Sequence, residues 1–272
     1  MTLATGRARR GLLGDRDRPG LPGQRTAVGT VEATEARDYT VKLDATDLEA
    51  GTTWYYRFHA QGRASAIGRT RTAPTGGVSG LRFAVVSCAS LAHGFFHAYR
   101  HVAERADLDA VIHLGDYIYE YGSGQYGSTR PYEPAHEITT LEDYRVRYRQ
   151  YRWDADLRPC TSSTPSSLIW DDHETREQLV AGRGREPRPR HRGAWANRAA
   201  AIQAWYEWLP VRETADHHIY RRLRLRRPHG SHPCSTLASG AARSSSAARR
   251  PRWSGSTRSG PSWAGPGGLA AR

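Results

Sequence analysis

Three short apolar runs stand out along the chain, because each of them stops abruptly at polar residues. They read LRFAVVSC from Leu81, VIHLGDYIYE from Val111 and SLIWDDHE from Ser167. Short apolar runs of this kind are typical of buried strands. Gly115 would let the chain turn sharply where the second run leaves the sheet. The pattern therefore predicts three strands, each ending in side chains that can carry chemistry.

Helical patterns lie between and after these strands. An amphipathic segment over 94–105 separates strands 81–87 and 109–114, which predicts a β-α-β unit with a right-handed parallel crossover. Two further helices are predicted, an amphipathic one over 141–151 and one over 194–209 that is rich in alanine and tryptophan. The fold class is therefore α/β, with a sheet flanked by helices.

A different pattern precedes these elements. Residues within 26–75 alternate as strands do, with runs at 39–43 and 52–58 and a turn at 47–51 between them. We expect a truncated β-rich module whose first strands are missing, which would leave an open sheet edge. Residues 1–25 are accordingly expected to be non-native or disordered.

The formal net charge of +13 is concentrated in three segments. Residues 1–25, 176–192 and 226–272 carry net charges of +4, +4 and +8, which leaves −3 for the rest of the chain. A nucleic-acid-binding groove would mix its arginines into the folded elements, so no nucleic-acid partner is expected. No apolar stretch approaches the roughly 20 residues that span a bilayer, so no membrane span is expected either.

The three predicted strand ends all offer metal ligands. The candidates are Cys88, Asp116, Tyr119, Asp172 and His173. Open α/β sheets hold their ligands at the carboxyl ends of the strands, so these side chains are expected to converge. Thiolate, phenolate, carboxylate and imidazole groups suit hard and borderline metal ions, and the pattern indicates a metal centre. For Cys88 the alternative is a small buried apolar side chain.

The order Ser-Cys, Gly-Asp-Tyr-Ile-Tyr-Glu and Trp-Asp-Asp-His-Glu resembles the PhoD-like alkaline phosphatase/phosphodiesterase family of calcineurin-like metallophosphoesterases. The resemblance covers the chain from Gly29 to Leu225. It implies a metallophosphoesterase-like mixed sheet over 76–225, preceded by an Ig- or fibronectin-like module over 26–75. It also implies a hydrolase whose substrates are phosphomonoesters or phosphodiesters. Relatives are often exported by the Tat route, although no complete signal is visible here.

The resemblance assigns a role to each candidate ligand. Asp116 would bridge two metal ions, and the anionic Cys88 and Tyr119 would bind an Fe(III) ion. Asp172 falls where relatives place an asparagine ligand of the second metal, which is an oxygen-liganded ion such as Ca(II); other divalent metals would also fit. His173 falls where relatives place a histidine that contacts the phosphate or the leaving group.

Four neighbouring residues are given supporting roles. Asp171 and Glu174 are expected to form hydrogen bonds around the ligands. His113 is expected to be a satisfied core histidine. Arg145 could hold a substrate phosphate through its guanidinium fork, or it could pair with an acid of its own helix.

Two stretches depart from the family pattern. After Arg176 the chain reads EQLVAGRGREPRPRHRG, where relatives carry a motif like Gly-Glu-Asn-His-Asp-Pro. Residues 226–272 consist mainly of Arg, Ser, Ala, Gly and Pro without apolar periodicity, so this tail is expected to be disordered. Our hypothesis is that both stretches are out-of-frame translations. Resequencing of the coding DNA tests it.

The remaining ligands of the family include a Gly-Asp-x-His-type motif, and nothing after Trp170 matches it. We therefore expect an amino-terminal fragment of a phosphoesterase whose activity is impaired by truncation. The alternative is a noncatalytic remnant that binds a metal or phosphate weakly through Cys88, Asp116 and Tyr119. A basic nucleic-acid-binding protein is a third hypothesis, which the charge distribution disfavours.

Overall fold

The structure, a computed structural model, places a set of antiparallel strands before a parallel sheet that is flanked by helices. It describes residues 2–4, 8–14, 25–175, 194–214, 217, 219, 221–225 and 234–239. All of them belong to one unit, Met1–Ala241. None of the helices in this described part has the length and apolar character that crossing a bilayer requires.

Antiparallel strands build the amino-terminal part. They are β1 (Thr2–Ala4), β2 (Ala8–Gly14), β3 (Arg25–Gly29), β4 (Thr40–Lys42), β5 (Thr53–Ala60), β6 (Arg63–Ala64) and β7 (Gly68–Arg71). The strand β2 pairs with β3 and β5, β5 also pairs with β6 and β7, and β1 pairs with β4. Trp54 and Phe58, which share one face of β5, are buried. The predicted strands 39–43 and 52–58 are thus confirmed, although they belong to different sheets.

Two parts of the segment 1–25, which was expected to be non-native or disordered, form strands; that the segment is non-native stays a prediction. Strands β1 and β2 lie there and pair with β4 and β5. Antiparallel pairing satisfies backbone N–H and C=O groups that an open sheet edge would leave exposed. The module therefore has early strands that the sequence pattern did not predict. Residues 5–7 and 15–24 lie outside the described residues.

The three apolar runs form one parallel sheet. Its strands are β8 (Phe83–Val86), β9 (Ala110–His113) and β10 (Ser166–Leu168), in the order β10-β9-β8. Val86 and Leu168 lie opposite His113, one on each side of the central strand. Because all three strands run in the same direction, their carboxyl ends meet at one edge. The predicted parallel pairing around the β-α-β unit is confirmed.

In the part of the chain that the structure describes, five helices accompany the sheet. They are α1 (His97–Glu104), α2 (Leu141–Trp153), α3 (Leu157–Ser163), α4 (Asp172–Thr175) and α5 (Ala194–Trp208). Helix α1 begins later than the predicted 94, because a short 3₁₀ turn at Leu91–His93 precedes it. Helix α2 starts at a capping box, in which Thr140 and Asp143 each accept the other's backbone N–H. The helices predicted over 141–151 and 194–209 are confirmed.

Tyrosines of α2 anchor the loop after β9. Tyr144, Tyr148 and Tyr151 recur at helical spacing and are fully buried at 0% exposure. The ring of Tyr117, next to the candidate ligand Asp116, lies 6.4 Å from that of Tyr148 and 6.2 Å from that of Tyr151. Aromatic pairs at such distances attract each other beyond simple burial. The loop is therefore fixed by the core immediately after Asp116.

His113 is the satisfied core histidine that the sequence predicts. It is buried in β9, where its Nε2 lies 3.1 Å from the hydroxyl of Tyr99 and its Nδ1 accepts the N–H of Gly115 at 3.3 Å. Burial lowers the pKa of His113 to about 4. Protonation is therefore much less favourable in the folded chain than in the unfolded chain.

This shift predicts an acid-dependent loss of stability. Because the folded pKa lies below the ordinary value, the unfolded chain binds the proton first, and stability falls as the pH drops from about 6.5 to about 4. We expect a loss of about 3 kcal/mol from this group across that window. Urea unfolding at several pH values should show a flatter profile for His113→Gln. The exposed His101 provides the control, since His101→Gln should behave like the parent.

Part of the tail that was expected to be disordered is a strand. Strand β12 (Cys234–Ser239) pairs antiparallel with β11 (Arg221–Leu225). Backbone hydrogen bonds between strands need no apolar periodicity, which is why composition alone did not predict this pair. The other residues of 226–272, and the segment 176–193, lie outside the described residues, so the out-of-frame hypothesis stays a prediction.

Candidate metal centre

The loops after β8 and β9 are locked together by backbone hydrogen bonds. The N–H of Cys88 donates to the carbonyl of Gly115 at 3.2 Å, and the N–H of Ala89 donates to the carbonyl of Asp116 at 2.8 Å. Cys88 and Asp116 both have left-handed backbones, with φ of +58° and +55°. Such conformations are uncommon outside glycine and cluster at functional sites. Both side chains are thus fixed at the same edge of the sheet.

The loop after β10 meets these two loops at Gly115. The φ of Gly115 is +104°, and an added Cβ would lie only 2.6 Å from the Cβ of Asp171. The same atom would lie 2.7 Å from the backbone nitrogen of Asp171, so glycine alone permits this approach. The close contact brings Asp172 and His173, at the start of α4, beside Asp116.

The four predicted metal ligands and the predicted catalytic residue His173 share this edge. Asp116, Asp172 and His173 offer ligand atoms within 4.8 Å of one another. The Sγ of Cys88 lies 3.4 Å from Oδ2 of Asp116. The ring of Tyr119 lies 4.2 Å from that of His173, centroid to centroid. The geometry agrees with the predicted convergence; that these side chains bind metal stays a prediction.

Asp116 has the environment that a cation would stabilise. It is 7% exposed, and its buried Oδ1 has no hydrogen-bond partner among the described residues. Burial raises the pKa of Asp116, with a smaller contribution from Asp172, although His173 and Cys88 act in the opposite direction. A buried carboxylate oxygen without a partner is unfavourable, and a bound metal ion would remove that cost. Together with imidazole, thiol and phenol groups, this carboxylate fits a metal ion.

Glu174 joins the loop after β9 to the loop after β10 through buried hydrogen bonds. Its side chain is 1% exposed and accepts three backbone N–H groups, from Asp116 at 2.9 Å, Tyr117 at 2.5 Å and Asp171 at 2.9 Å. Burial raises the pKa of Glu174 to about 8, although the three N–H donors oppose this effect. The expected supporting role of Glu174 is present, while Asp171 takes part through its backbone N–H. One carboxylate thus joins the loops after β9 and β10.

Glu120 orients the candidate catalytic histidine, a role that the sequence reasoning missed. Its Oε2 lies 2.8 Å from Nδ1 of His173, and both side chains are buried. Burial alone would lower the pKa of His173, but the hydrogen bond and the charge of Glu120 raise it, helped by Asp116 and Asp172. A carboxylate on one ring nitrogen fixes the tautomer and directs the other nitrogen. The available signal was the acid at the end of Gly-Asp-Tyr-Ile-Tyr-Glu.

Arg147 is a second residue that the sequence reasoning missed. Its guanidinium is fully buried, at 0% exposure, and lies 4.1 Å from the ring centroid of Tyr132. The carbonyl groups that accept its N–H donors belong to Tyr119, Tyr121, Glu133 and Pro134. Five donors in a rigid fork suit this task. The helix α2 thereby holds the backbone that carries Tyr119 and Glu120.

Arg145 has a different role from either one that the sequence suggested. Its Nε and Nη2 donate to the two carboxylate oxygens of Glu207 at 2.8 Å each, and Nη2 also donates to the carbonyl of Ala36. The fork is therefore occupied by an acid of α5, so the predictions of phosphate binding and of pairing within α2 are corrected. The physical reason is that α2 packs on α5 and buries Glu207, which needs a cationic partner.

Removal of Arg145 should therefore affect stability rather than phosphate binding. Arg145→Ala leaves the buried Glu207 carboxylate without its partner, and we expect a loss of about 3–5 kcal/mol in unfolding free energy. The double variant Arg145→Ala/Glu207→Gln should recover part of that loss, because the uncompensated charge is gone. Chemical denaturation measures both. Weaker phosphate binding by Arg145→Ala at unchanged stability would instead support a substrate role.

A parallel sheet with carboxylate, imidazole, thiol and phenol groups gathered at its carboxyl edge defines an α/β protein with a candidate metal centre. The family model of the PhoD-like phosphatases matches residues 83–227, and the model of the PhoD-like phosphatase N-terminal domain matches residues 19–74. The chain belongs to the PhoD-like phosphatase family. The match starts at β8 and includes all five candidate ligands.

Two relatives extend this finding. Alkaline phosphatase D of Bacillus subtilis (strain 168) is 40% identical over 206 residues, which cover 72% of this chain and 35% of that protein. A solved structure of PhoD has a TM-score of 0.70 and 34% identity, and the match covers 80% of this chain and 43% of that one. The chain thus spans less than half the length of the relatives that it matches.

Proposed function

We propose that this chain carries the metal-binding half of a phosphoester hydrolase of the alkaline phosphatase D type, acting on phosphomonoesters or phosphodiesters. The observation that carries the proposal is the group Asp116, Asp172 and His173, whose ligand atoms lie within 4.8 Å of one another beside Cys88 and Tyr119. Family membership supports the same chemistry. The likeness of residues 26–75 to an Ig- or fibronectin-like module stays a prediction.

Each ligand has a role that its chemistry explains. Metal ions held by these residues would supply an activated water and neutralise charge on the phosphoryl oxygens. Asp116 would hold metal from its position beside Cys88, Asp172 and His173. Cys88 and Tyr119 would favour Fe(III) as anionic ligands, and Asp172 would hold a hard ion such as Ca(II). These metal identities rest on the family resemblance.

The protonation of Tyr119 and the orientation of His173 both bear on the proposed reaction. Burial raises the pKa of Tyr119, as do the nearby Asp116 and Cys88, so its hydroxyl keeps the proton until a cation binds. His173 would contact the phosphate or the leaving group. Glu120 holds its Nδ1, so that the ring meets the substrate in one orientation.

A noncatalytic remnant that binds a metal or phosphate weakly is the second candidate. Four ligand side chains, with His173 reserved for the substrate, are few for two metal ions, because Ca(II) alone takes 6–8 oxygen ligands. Within the described residues, one group of acids, histidines and cysteines has the spacing to hold a metal, and it consists of Asp116, Asp172 and His173. Incomplete coordination would reduce affinity and turnover together, which agrees with the expected impairment of this chain.

Metal analysis combined with a phosphodiester assay separates the two candidates. The chain is purified after expression with iron and calcium, its metal content is measured, and hydrolysis of bis(p-nitrophenyl) phosphate is monitored. Bound iron with turnover that His173→Ala removes supports the hydrolase. Bound iron without turnover supports the remnant. A folded chain that takes up no metal from either supply contradicts both.

A further inference from the structure

A group of aromatic rings borders the candidate metal centre. Tyr126 is its middle member, with ring centroids 4.5 Å from His93, 4.9 Å from Tyr121 and 5.9 Å from Tyr119. The ring of Tyr121 also lies 5.6 Å from His173. The rings therefore form a continuous path from the candidate ligands Tyr119 and His173 to the surface. We name Tyr126, Tyr121 and His93 the aromatic platform.

The platform is held in place rather than loosely attached. The N–H of Thr129 donates to the carbonyl of Ala92 at 2.8 Å, which pins the loop after Tyr126 to the loop after β8. A Cβ on Gly127, whose φ is +81°, would lie 2.7 Å from that same carbonyl oxygen. On the other side, Nδ1 of His93 lies 2.7 Å from the hydroxyl oxygen of Ser90. Preorganised contact surfaces lose little entropy on binding.

Tyr126 is nevertheless 44% exposed, unlike the tyrosines of the core. Ring contacts that served only to fill the core would bury it, as they bury Tyr117 and Tyr148. An open π surface beside a phosphate-binding centre suits a planar unsaturated group, because stacked rings attract each other at these separations. An alkyl group of similar size would gain less from the same surface.

We propose that the aromatic platform binds a planar aromatic group carried by the phosphoester substrate, so that the chain prefers aryl or heteroaryl esters to small alkyl esters. The inference rests on the proposed function, since it needs a phosphate bound at the adjacent edge. Tyr126 would supply the stacking surface, and Tyr121 and His93 would hold its ring in position. The proposal concerns which substrate group binds and leaves the chemistry of the phosphorus unchanged.

Binding of two phosphonates tests the proposal without requiring turnover. Phenylphosphonate and methylphosphonate are titrated calorimetrically into the chain loaded with Fe(III) and Ca(II). We expect phenylphosphonate to bind about 3- to 10-fold more tightly, as one stacked ring pair provides. Tyr126→Leu should reduce this ratio to about one with methylphosphonate affinity unchanged, while Tyr126→Phe should keep it. Tyr39→Leu is the matched control. Tyr39 is similarly exposed, at 41%, and lies directly before strand β4, outside the aromatic platform.

The outcomes distinguish this inference from the proposed function. Equal affinity for the two phosphonates in the parent chain overturns the inference alone, as does a ratio that survives in Tyr126→Leu. Loss of both affinities in Tyr126→Leu also overturns it, since the residue would then support the loop rather than the ligand. If neither phosphonate binds the metal-loaded parent, the proposed function fails and the inference fails with it.

Discussion

Asp116→Asn is expected to weaken metal binding by more than about 100-fold, because changes outside the ligand shell already cost about 10–100-fold. Asparagine tolerates the left-handed backbone of residue 116, so the variant isolates the loss of charge. In the absence of metal we expect the melting temperature to stay the same or rise by a few degrees, since a buried carboxylate with an unpartnered oxygen has been removed. Calorimetry and thermal unfolding with and without metal measure both effects.

Asp44→Asn provides the comparison for this experiment. Asp44 is exposed and pairs with Arg212 at the surface, so its replacement should alter neither metal affinity nor stability appreciably. A lower melting temperature of metal-free Asp116→Asn, at unchanged metal affinity, would mean that Asp116 serves the fold. The basis of the metal-centre proposal would then be gone.

Glu174→Ala is expected to cost about 3–9 kcal/mol of unfolding free energy, because three buried N–H groups lose their acceptor and each unpaired group costs about 1–3 kcal/mol. Water that enters the space left by the side chain would reduce the upper figure. The change also releases the loop of Asp116 from that of Asp171, so metal affinity should fall as well. Urea denaturation and metal titration measure the two losses.

Glu174→Gln tests the reason for this loss. One carbonyl oxygen remains, so one or two of the three N–H groups keep an acceptor, and we expect about half of the alanine effect. The exposed Glu104 serves as the control, since Glu104→Ala should remain within about 0.5 kcal/mol of the parent. An alanine variant at position 174 as stable as the parent would show that the three hydrogen bonds do not hold the loops together.

Much of the site could be predicted because its signals are local. An apolar run that ends in Gly-Asp or Asp-Asp-His specifies both a strand and the polar side chains at its end, and parallel strands then place these ends at one edge. His113 was identifiable as a core residue from its place within such a run. The platform residue Tyr126 had no signal of this kind, because its loop shows neither period nor motif.

Errors arose where backbone pairing or long-range partners decide the outcome. Strands β1, β2 and β12 lie in segments where no strand-like apolar alternation was recognised, and hydrogen bonds to distant strands define them. Arg145 was expected to hold a substrate phosphate or to pair with an acid of its own helix, but its partner Glu207 lies 62 residues away. Local patterns carry no information about which distant acid a guanidinium will meet.

The sequence by itself determined the α/β class, the three strands and the identity of the five side chains at their ends, because periodicity and turn residues act within a few positions. Only the tertiary structure decided how those side chains are supported. Glu174 meets the N–H groups of Asp116 and Tyr117, and Glu120 meets His173 across 53 residues of chain. These hydrogen bonds form because the loops after β9 and β10 meet at Gly115 and leave buried donors and acceptors that must be paired. Tertiary packing, and no local sequence pattern, decides which loops meet.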